Sequence, residues 1–213
     1  MNPQNQPQQN PQLQNDQSSA PQSVSDDPKK SIIDRLNQAN NVLVSVSSNP
    51  SLDQLSACIG LSLFLNKDGK HATAVFSGDV PSNLDFLQPD ETIKKSTDSL
   101  RDFIISLDKS KADKLRYKVE NNIVKIFITP YKTALSEEDF NFSQGDINVD
   151  VVIALGVHTK EELDSAISSH GRILHDATVI SITNTPGKTL GTLNLQDDSA
   201  SSLCELAADV SEQ

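Results

Sequence analysis

One junction constrains the fold of this 213-residue chain more than any other segment: an apolar run, a turn, and the start of an apolar helix. Residues 42–46 are apolar except for Ser45, and three of the five are β-branched Val, which is typical of a strand buried on both faces of a sheet. Asn49 and Pro50 form the turn, and residues 52–65 are apolar almost all round, as expected for a helix at the centre of a domain. Ligands of α/β proteins bind where strand ends face helix N-termini. The junction therefore predicts a fold class and the position of a site.

The rest of the chain alternates strand and helix patterns after that junction. The predicted strands are residues 71–76, 149–155 and 178–182, and the predicted helices are residues 31–40, 99–107, 160–168 and 199–210. This alternation favours an α/β fold with a mostly parallel, doubly wound, Rossmann-like sheet and helices on both faces. We expect residues 42–46, 149–155 and 178–182 to be neighbouring central strands.

A predicted β-hairpin interrupts this pattern. Residues 114–120 and 123–129 alternate apolar with polar side chains around Asn121 and Asn122, which tolerate the positive φ of a tight turn. The hairpin is either an insertion or an antiparallel edge of the sheet. The densest run of basic residues lies in and before its first strand, interleaved with Asp108 and Asp113, and is interpreted as a solvated face.

Composition separates an N-terminal tail from one folded domain. Residues 1–28 contain eight Gln, four Asn and five Pro, and apart from Met1 the only sizeable apolar side chains are Leu13 and Val24. Such a segment cannot bury enough apolar surface to offset its ordering entropy, so we predict a disordered tail. Residues 29–213 are long enough for one α/β domain with a well-formed core.

Charge and cysteine content limit the environment and the partners. The formal net charge of −11 opposes binding to long nucleic acids. No apolar run approaches the roughly 20 residues of a membrane span, so no membrane partner is expected. Cys58 and Cys204 are far apart in sequence and lie in apolar surroundings, which favours buried free thiols. These features predict a cytoplasmic protein.

The strand–helix junction resembles the first motif of the DHH-type phosphoesterases, the family of oligoribonucleases and cyclic-dinucleotide phosphodiesterases. That motif reads His-x-Asn-Pro-Asp-x-Asp at the end of the first strand, and its His and Asp residues hold catalytic metal. Asn49, Pro50 and Asp53 keep the pattern, whereas Ser47 stands for the His and Ser51 for the first Asp. The resemblance implies the family's scaffold with an altered metal site.

Later segments extend the resemblance over residues 35–210. Residues 150–155 resemble the family's middle strand, and Gly156 lies near the place of a metal-bridging Asp. Residues 177–184 resemble the strand that ends in the Asp-His-His triplet, but Ser-Ile-Thr, ending at Thr183, replaces it. Residues 191–205 resemble the segment and helix that follow. Active relatives carry a second, substrate-gripping domain beyond this point, and we expect none here because the sequence ends at Gln213.

The resemblance therefore implies that most metal ligands have been replaced. Hydrolysis with two metal ions needs several carboxylate or imidazole ligands, and Asp53 is the one carboxylate at the matched positions. His158 follows Gly156 closely and could supply a relocated ligand. Ser51 and Gln54 fit a capping box, and Asp53 is favourable against the dipole of the same helix, so these residues have a structural role available as well.

Three functions stay open from the sequence. The first is a domain that has lost its metal site and acts as a nucleotide- or phosphate-binding or assembly module, with no cofactor and with a small nucleotide or a protein as partner. The second is an active phosphoesterase that uses Mn²⁺ or Mg²⁺ through relocated ligands, and the third is a purely structural protein-interaction domain. The candidate ligand-binding residues are Ser47, Asn49, Ser51, Asp53, Gly156, His158 and Thr183. If the strands are neighbours, Ser47 and Gly156 lie within about 15 Å, roughly three strand spacings.

Overall fold

A mostly parallel α/β fold is confirmed by the computed structural model, which describes residues 27–211. Its six-stranded parallel sheet has the strand order β10-β9-β8-β1-β2-β3. These strands are β1 (Asn41–Ser45), β2 (His71–Val75), β3 (Ile93–Lys94), β8 (Val151–Leu155), β9 (Thr178–Thr183) and β10 (Leu193–Gln196). The expected neighbours β1, β8 and β9 are therefore adjacent. The predicted tail, residues 1–28, lies outside the described residues except for Asp27 and Pro28.

Helices cover both faces of this sheet. They are α1 (Pro28–Gln38), α2 (Leu52–Lys67), α3 (Pro89–Thr92), α4 (Ser165–Ser168), α5 (Ile173–Asp176) and α6 (Leu203–Ser211). Short 3₁₀ turns occupy Ser82–Leu87, Asp98–Leu100, Lys109–Lys111 and Glu137–Asp139. Among the described helices, none has both the length and the apolar character needed to cross a bilayer.

The core divides into two layers because successive strand residues point to opposite faces. Val42 and Val44 of β1 pack on one face with α1, α2 and α6. Leu43 of the same strand packs on the other face with Leu163 and Ile167 from the α4 region. Strand β8 is fully buried from Val151 to Leu155, which explains why its sequence is continuously apolar.

The predicted hairpin is confirmed, and it is an insertion. Strand β5 (Ala112–Glu120) pairs antiparallel with β6 (Ile123–Pro130), and Asn121 and Asn122 have φ of 49° and 62°. Two positive φ values are what a two-residue turn between twisted strands requires. We call residues 101–147 the arm, because none of its strands pairs with the six-stranded sheet.

The predicted helix at residues 99–107 is wrong. This segment forms strand β4 (Arg101–Leu107), which pairs antiparallel with β7 (Phe140–Ile147) in a second ribbon of the arm. Phe103 and Leu107 match a helical spacing, but Phe103, Ile105 and Leu107 also match the alternation of a strand. A partner strand more than 30 residues further along the chain decides between the two patterns.

The predicted helix at residues 160–168 is shorter than expected. Only Ser165–Ser168 is helical, and it begins after Asp164, whose side chain accepts a hydrogen bond from the Ala166 N–H. The preceding residues instead pair with the residues that follow β1: Asp164 N donates to Val46 O at 3.1 Å, and Ser48 N donates to Glu162 O at 2.8 Å. These tertiary hydrogen bonds take the place of the first helical turns.

The carboxylate of Asp150, just before β8, links this strand to the start of β1, and its pKa leads to a pH-dependent prediction. Asp150 Oδ2 accepts hydrogen bonds from the backbone N–H groups of Asn40 and Asn41 at 2.8 and 2.9 Å. The Asn41 and Asn40 N–H groups, with a smaller effect of the Arg35 charge, hold the pKa of Asp150 below its usual value. A carboxyl group with a lowered pKa stabilises the fold above its unfolded-state pKa, and that stability is lost as the pH falls through the folded-state pKa.

We expect Asp150→Asn to lower the free energy of unfolding by about 1 kcal/mol at pH 7, because an amide is a weaker acceptor than a carboxylate. The difference between wild type and variant should begin to shrink below about pH 4, where the carboxyl group of the unfolded wild-type chain takes up a proton while the folded one, with its lowered pKa, stays charged. Urea denaturation at pH 7 and pH 3 measures both values. A difference that stays constant over this range would contradict the role given to the Asp150 charge.

Candidate functional site

The carboxyl ends of the central strands converge on the side chain of Gln54. Ser47 Oγ, just past β1, lies 3.4 Å from Gln54 Oε1. On the other side, Gln54 Nε2 donates to Gly156 O at 2.9 Å and to Leu155 O at 3.1 Å. Ser47 and Gly156 thus flank a single amide group, and the expectation that they lie within about 15 Å is confirmed.

The capping box at the start of α2 is also confirmed. Gln54 N donates to Ser51 Oγ at 3.1 Å, and Ser51 N donates to Gln54 Oε1 at 2.8 Å. Gln54 therefore uses one end of its amide to close the box and the other to bind the end of β8. The Ser51 hydroxyl already accepts from the helix backbone, so one of the helix N–H groups that could bind an anion is occupied.

Gly156 fits this arrangement because it has no side chain. Its φ of +63° lies in the left-handed region, which strains any residue with a Cβ. A Cβ at this position would also lie 2.5 Å from Gln54 Nε2 and 2.8 Å from Leu203 Cδ1. The close packing of Gln54 and α6 is thus favoured by a glycine at this position.

Asp53 faces α6 and not the strand ends. Its two carboxylate oxygens accept hydrogen bonds from Leu203 N at 2.7 Å and Cys204 N at 3.2 Å. Glu205 N donates to Ser202 Oγ at 3.1 Å, so each of the first three N–H groups of α6 has a side-chain acceptor. Burial, aided by the hydrogen bond and charge of Asp53, raises the pKa of the Cys204 thiol to about 12. Asp53 is therefore a helix cap supplied from another helix.

The remaining candidate residues, His158, Thr183 and Asn49, differ in their surroundings. Both ring nitrogens of His158 have neighbours in the loop after β9: Nδ1 is 2.8 Å from Lys188 O, and Nε2 is 3.0 Å from Thr185 Oγ1. Thr183 is buried, and its hydroxyl has no hydrogen-bond partner among the described residues. Asn49 is exposed on the loop before α2. Whether any of these residues binds a ligand stays a prediction.

The sequence did not reveal two long-range contacts that shape this region, one made by Gln54 and one by Asp164. Gln54 was assigned to the capping box, but nothing local indicated its contact with Gly156, about 100 residues away. Asp164 is 1% exposed, and its carboxylate binds both Ser77 N at 3.0 Å and Ser77 Oγ at 2.8 Å beyond the end of β2. Asp is a preferred N-cap residue, and its position just before a short helix is a sequence signal that could have identified Asp164.

The described part of the chain, residues 27–211, contains no group of three or more His, Cys, Asp or Glu side chains placed to hold a metal ion. Two carboxylates in this region have other partners, since Asp53 binds α6 and Asp164 binds Ser77. Gln54 offers an amide oxygen, which the Ser51 N–H already occupies. This donor set does not match the several carboxylate or imidazole ligands that a two-metal site requires.

Comparisons with known proteins bear on the fold. No protein-family model matches the sequence, and no curated protein matches it significantly. A solved structure of an exopolyphosphatase-related protein from Bacteroides fragilis is similar, with a TM-score of 0.54 and 14% sequence identity. The similarity covers 85% of this chain and 43% of that protein, so this chain spans less than half of its length. At this identity the likeness shows a shared fold.

Proposed function

We propose that this chain is a phosphoesterase-like domain that does not hydrolyse phosphoesters and acts as an assembly module. The observation that carries the proposal is the use of Asp53, the one carboxylate matching the DHH-type motif, as a cap for α6. Gln54 supports it, because its side chain occupies the space between Ser47 and Gly156. The similarity to an exopolyphosphatase-related protein is consistent with a phosphoesterase ancestry of the scaffold.

The geometry favours assembly over binding of a nucleotide at the strand ends. A phosphate at a helix N-terminus needs N–H groups that are not already bound. Ser51 accepts from the first turn of α2, and Asp53 accepts from the first turn of α6. The negative charge of Asp53 would also repel a phosphate from this position.

The test measures metal binding and turnover with the full chain. We expect the melting temperature of wild type to be the same without metal and in about 1 mM Mn²⁺ or Mg²⁺. A metal that bound the folded chain would raise the melting temperature, because a ligand at 100 times its Kd adds about 2.7 kcal/mol to the free energy of unfolding. We also expect no hydrolysis of short oligonucleotides, cyclic dinucleotides, 3′-phosphoadenosine 5′-phosphate or inorganic polyphosphate. Ser47→His combined with Ser51→Asp should not create activity, because Gln54 still fills the space beside Ser47, and Gly156 and Thr183 supply no carboxylate or imidazole ligand.

The alternative is an active enzyme with relocated ligands, and His158 is the first residue to examine. Turnover in Mn²⁺ that disappears in His158→Ala or Asp53→Ala, together with a metal-dependent rise in melting temperature, would replace our proposal with this one. Lys160→Ala is a matched control, because Lys160 is an exposed residue close to His158.

A further inference from the structure

The arm exposes an apolar surface that the central sheet does not cover. In the β5–β6 hairpin, Leu115 pairs with Ile128, Tyr117 with Ile126, and Val119 with Val124. Because side chains alternate across a strand, these six residues form one continuous apolar face. We call it the hairpin face. Tyr117 is 73% exposed and Leu115 is 72% exposed, so water covers most of the face in the isolated chain.

The second ribbon of the arm presents a similar face to the same groove. Ile105 pairs with Phe142 and Leu107 with Phe140 between β4 and β7, and the Phe103 and Phe142 rings stack with centroids 5.9 Å apart. The two apolar faces line one groove of about 760 Å³. Phe103 is 62% exposed, so the ribbons do not close over each other.

The opposite side of the hairpin has a different character. Lys118 and Lys125 both form ion pairs with Glu120, and the Arg116 guanidinium lies 5.1 Å from the centre of the Phe127 ring. These charges are satisfied within the hairpin and hydrated, as a solvent-facing surface requires. The arm is therefore amphipathic, and its apolar side is the one that needs a partner.

The exposed area matches what a stable dimer needs. Eight large apolar residues of the two faces are each between 45% and 73% exposed: Phe103, Ile105, Leu115, Tyr117, Val119, Val124, Ile126 and Phe142. At about 150 Å² for each fully exposed side chain, they expose roughly 700 Å². The largest apolar patch of a typical monomer is about 300–600 Å², and each partner of a standard interface contributes about 800 Å². Isolated two-stranded ribbons are also only marginally stable in water.

The arm is neutral, although the chain is strongly acidic. Residues 101–147 contain eight Lys or Arg and eight Asp or Glu, so the whole net charge of −11 lies outside the arm. Two copies can therefore bring their arms together without the repulsion that other surfaces would cause. Residues 1–26 offer little apolar surface for such a face, because Leu13 and Val24 are their only large apolar side chains apart from Met1.

We propose that the hairpin face and the adjoining groove bind a second copy of this chain, forming a symmetric dimer in which the apolar faces of the two arms pack together. A two-fold arrangement lets the same face serve both partners and closes after two copies. The arm alone carries this inference, and it holds whether or not the strand–helix junction binds metal.

Sedimentation velocity of the full chain from about 1 to 100 μM tests the dimer, a range that brackets a micromolar Kd. We expect a species of twice the 23.1 kDa chain mass. Tyr117→Glu places a charge in the hairpin face and should raise the dimer Kd at least about tenfold, the effect of 1.4 kcal/mol. Phe127→Glu is the matched control: it makes the same kind of change on the charged side of the hairpin and should leave the dimer intact.

Hydrogen exchange of the wild-type arm gives a second measurement, which does not depend on whether a variant folds. Amides of β5 and β6 should exchange more slowly at high protein concentration than at low concentration, while those of β1 and β8 should not change. A wild-type chain that stays monomeric at 100 μM would overturn the proposal. Equal loss of the dimer in Tyr117→Glu and Phe127→Glu, or open-ended growth of larger species, would also overturn it.

Discussion

Gly156→Ala is expected to lower the free energy of unfolding by about 3 kcal/mol. A residue with a Cβ at a φ of +63° costs roughly 1–2 kcal/mol. The added methyl group would also meet Gln54 Nε2 at 2.5 Å and Leu203 Cδ1 at 2.8 Å; both atoms end flexible side chains that can shift, so the cost is at the lower end of the roughly 1–3 kcal/mol typical of overpacking. Urea denaturation followed by far-UV circular dichroism measures the loss.

Two control variants separate backbone strain from the steric clash. Gly69 has a φ of +83°, but a Cβ there would meet no atom within 4 Å, so Gly69→Ala should cost only about 1 kcal/mol. Combining Gly156→Ala with Gln54→Ala should cost less than the sum of the two single changes, because removing the amide makes room for the methyl group. If Gly156→Ala cost no more than Gly69→Ala, the close packing of Gln54 on Gly156 would not hold in solution.

Asp53→Ala is expected to lower the free energy of unfolding by about 2 kcal/mol. The change removes the acceptors of the Leu203 and Cys204 N–H groups and takes a negative charge from the N-terminus of α6. Loss of a capping side chain costs about 0.5–2 kcal/mol, and hydrogen bonds to a charged group contribute about 1.5–3 kcal/mol. Thermal and urea denaturation without metal give the measured value.

Matched variants distinguish the cap from a general effect of charge. Asp53→Asn keeps one acceptor oxygen and should lose about half as much stability as Asp53→Ala. Asp34→Ala removes an exposed carboxylate from α1 and should change stability by less than about 0.5 kcal/mol. If Asp53→Ala were as mild as Asp34→Ala in the absence of metal, the capping role would be wrong, and a role as a metal ligand would become the better explanation.

The parts of the fold that sequence reasoning predicted are those determined by local patterns. The α2 capping box depends on Ser51 and Gln54, three residues apart, and both the start of α2 and its N-cap were predicted correctly. The β5–β6 hairpin follows from two Asn residues and alternating strands of matched length. In both cases the residues that form the structure are neighbours in the sequence.

Errors arose where a distant segment decides the structure. Residues 101–107 satisfy both a helical and a strand pattern, and pairing with Phe140–Ile147 selects the strand. Strand β7 itself was not predicted, because Asn141, Ser143 and Gly145 give it a weak apolar pattern. At the site, Asp53 was placed correctly near the start of α2, but its partner in α6 lies 150 residues further along the chain. No local pattern identifies that partner.

The order of the parallel strands has a consequence for how the chain folds during synthesis. Strands β1, β2 and β3, with α2, come from the first part of the domain and can assemble through short connections. The other neighbour of β1 is β8, which the ribosome makes about 100 residues later. Because synthesis adds about 5–20 residues per second, one edge of β1 stays unpaired for roughly 5–20 seconds.

The arm, residues 101–147, is made in the second half of this interval. The β5–β6 hairpin can pair without any other part of the chain. Once paired, it shortens the flexible chain between β1 and β8, and a shorter loop costs less entropy to close. An apolar strand with an open edge is a site for pairing with other chains. The nascent chain should therefore be most prone to aggregation before Val151–Leu155 leaves the ribosome, and much less so afterwards.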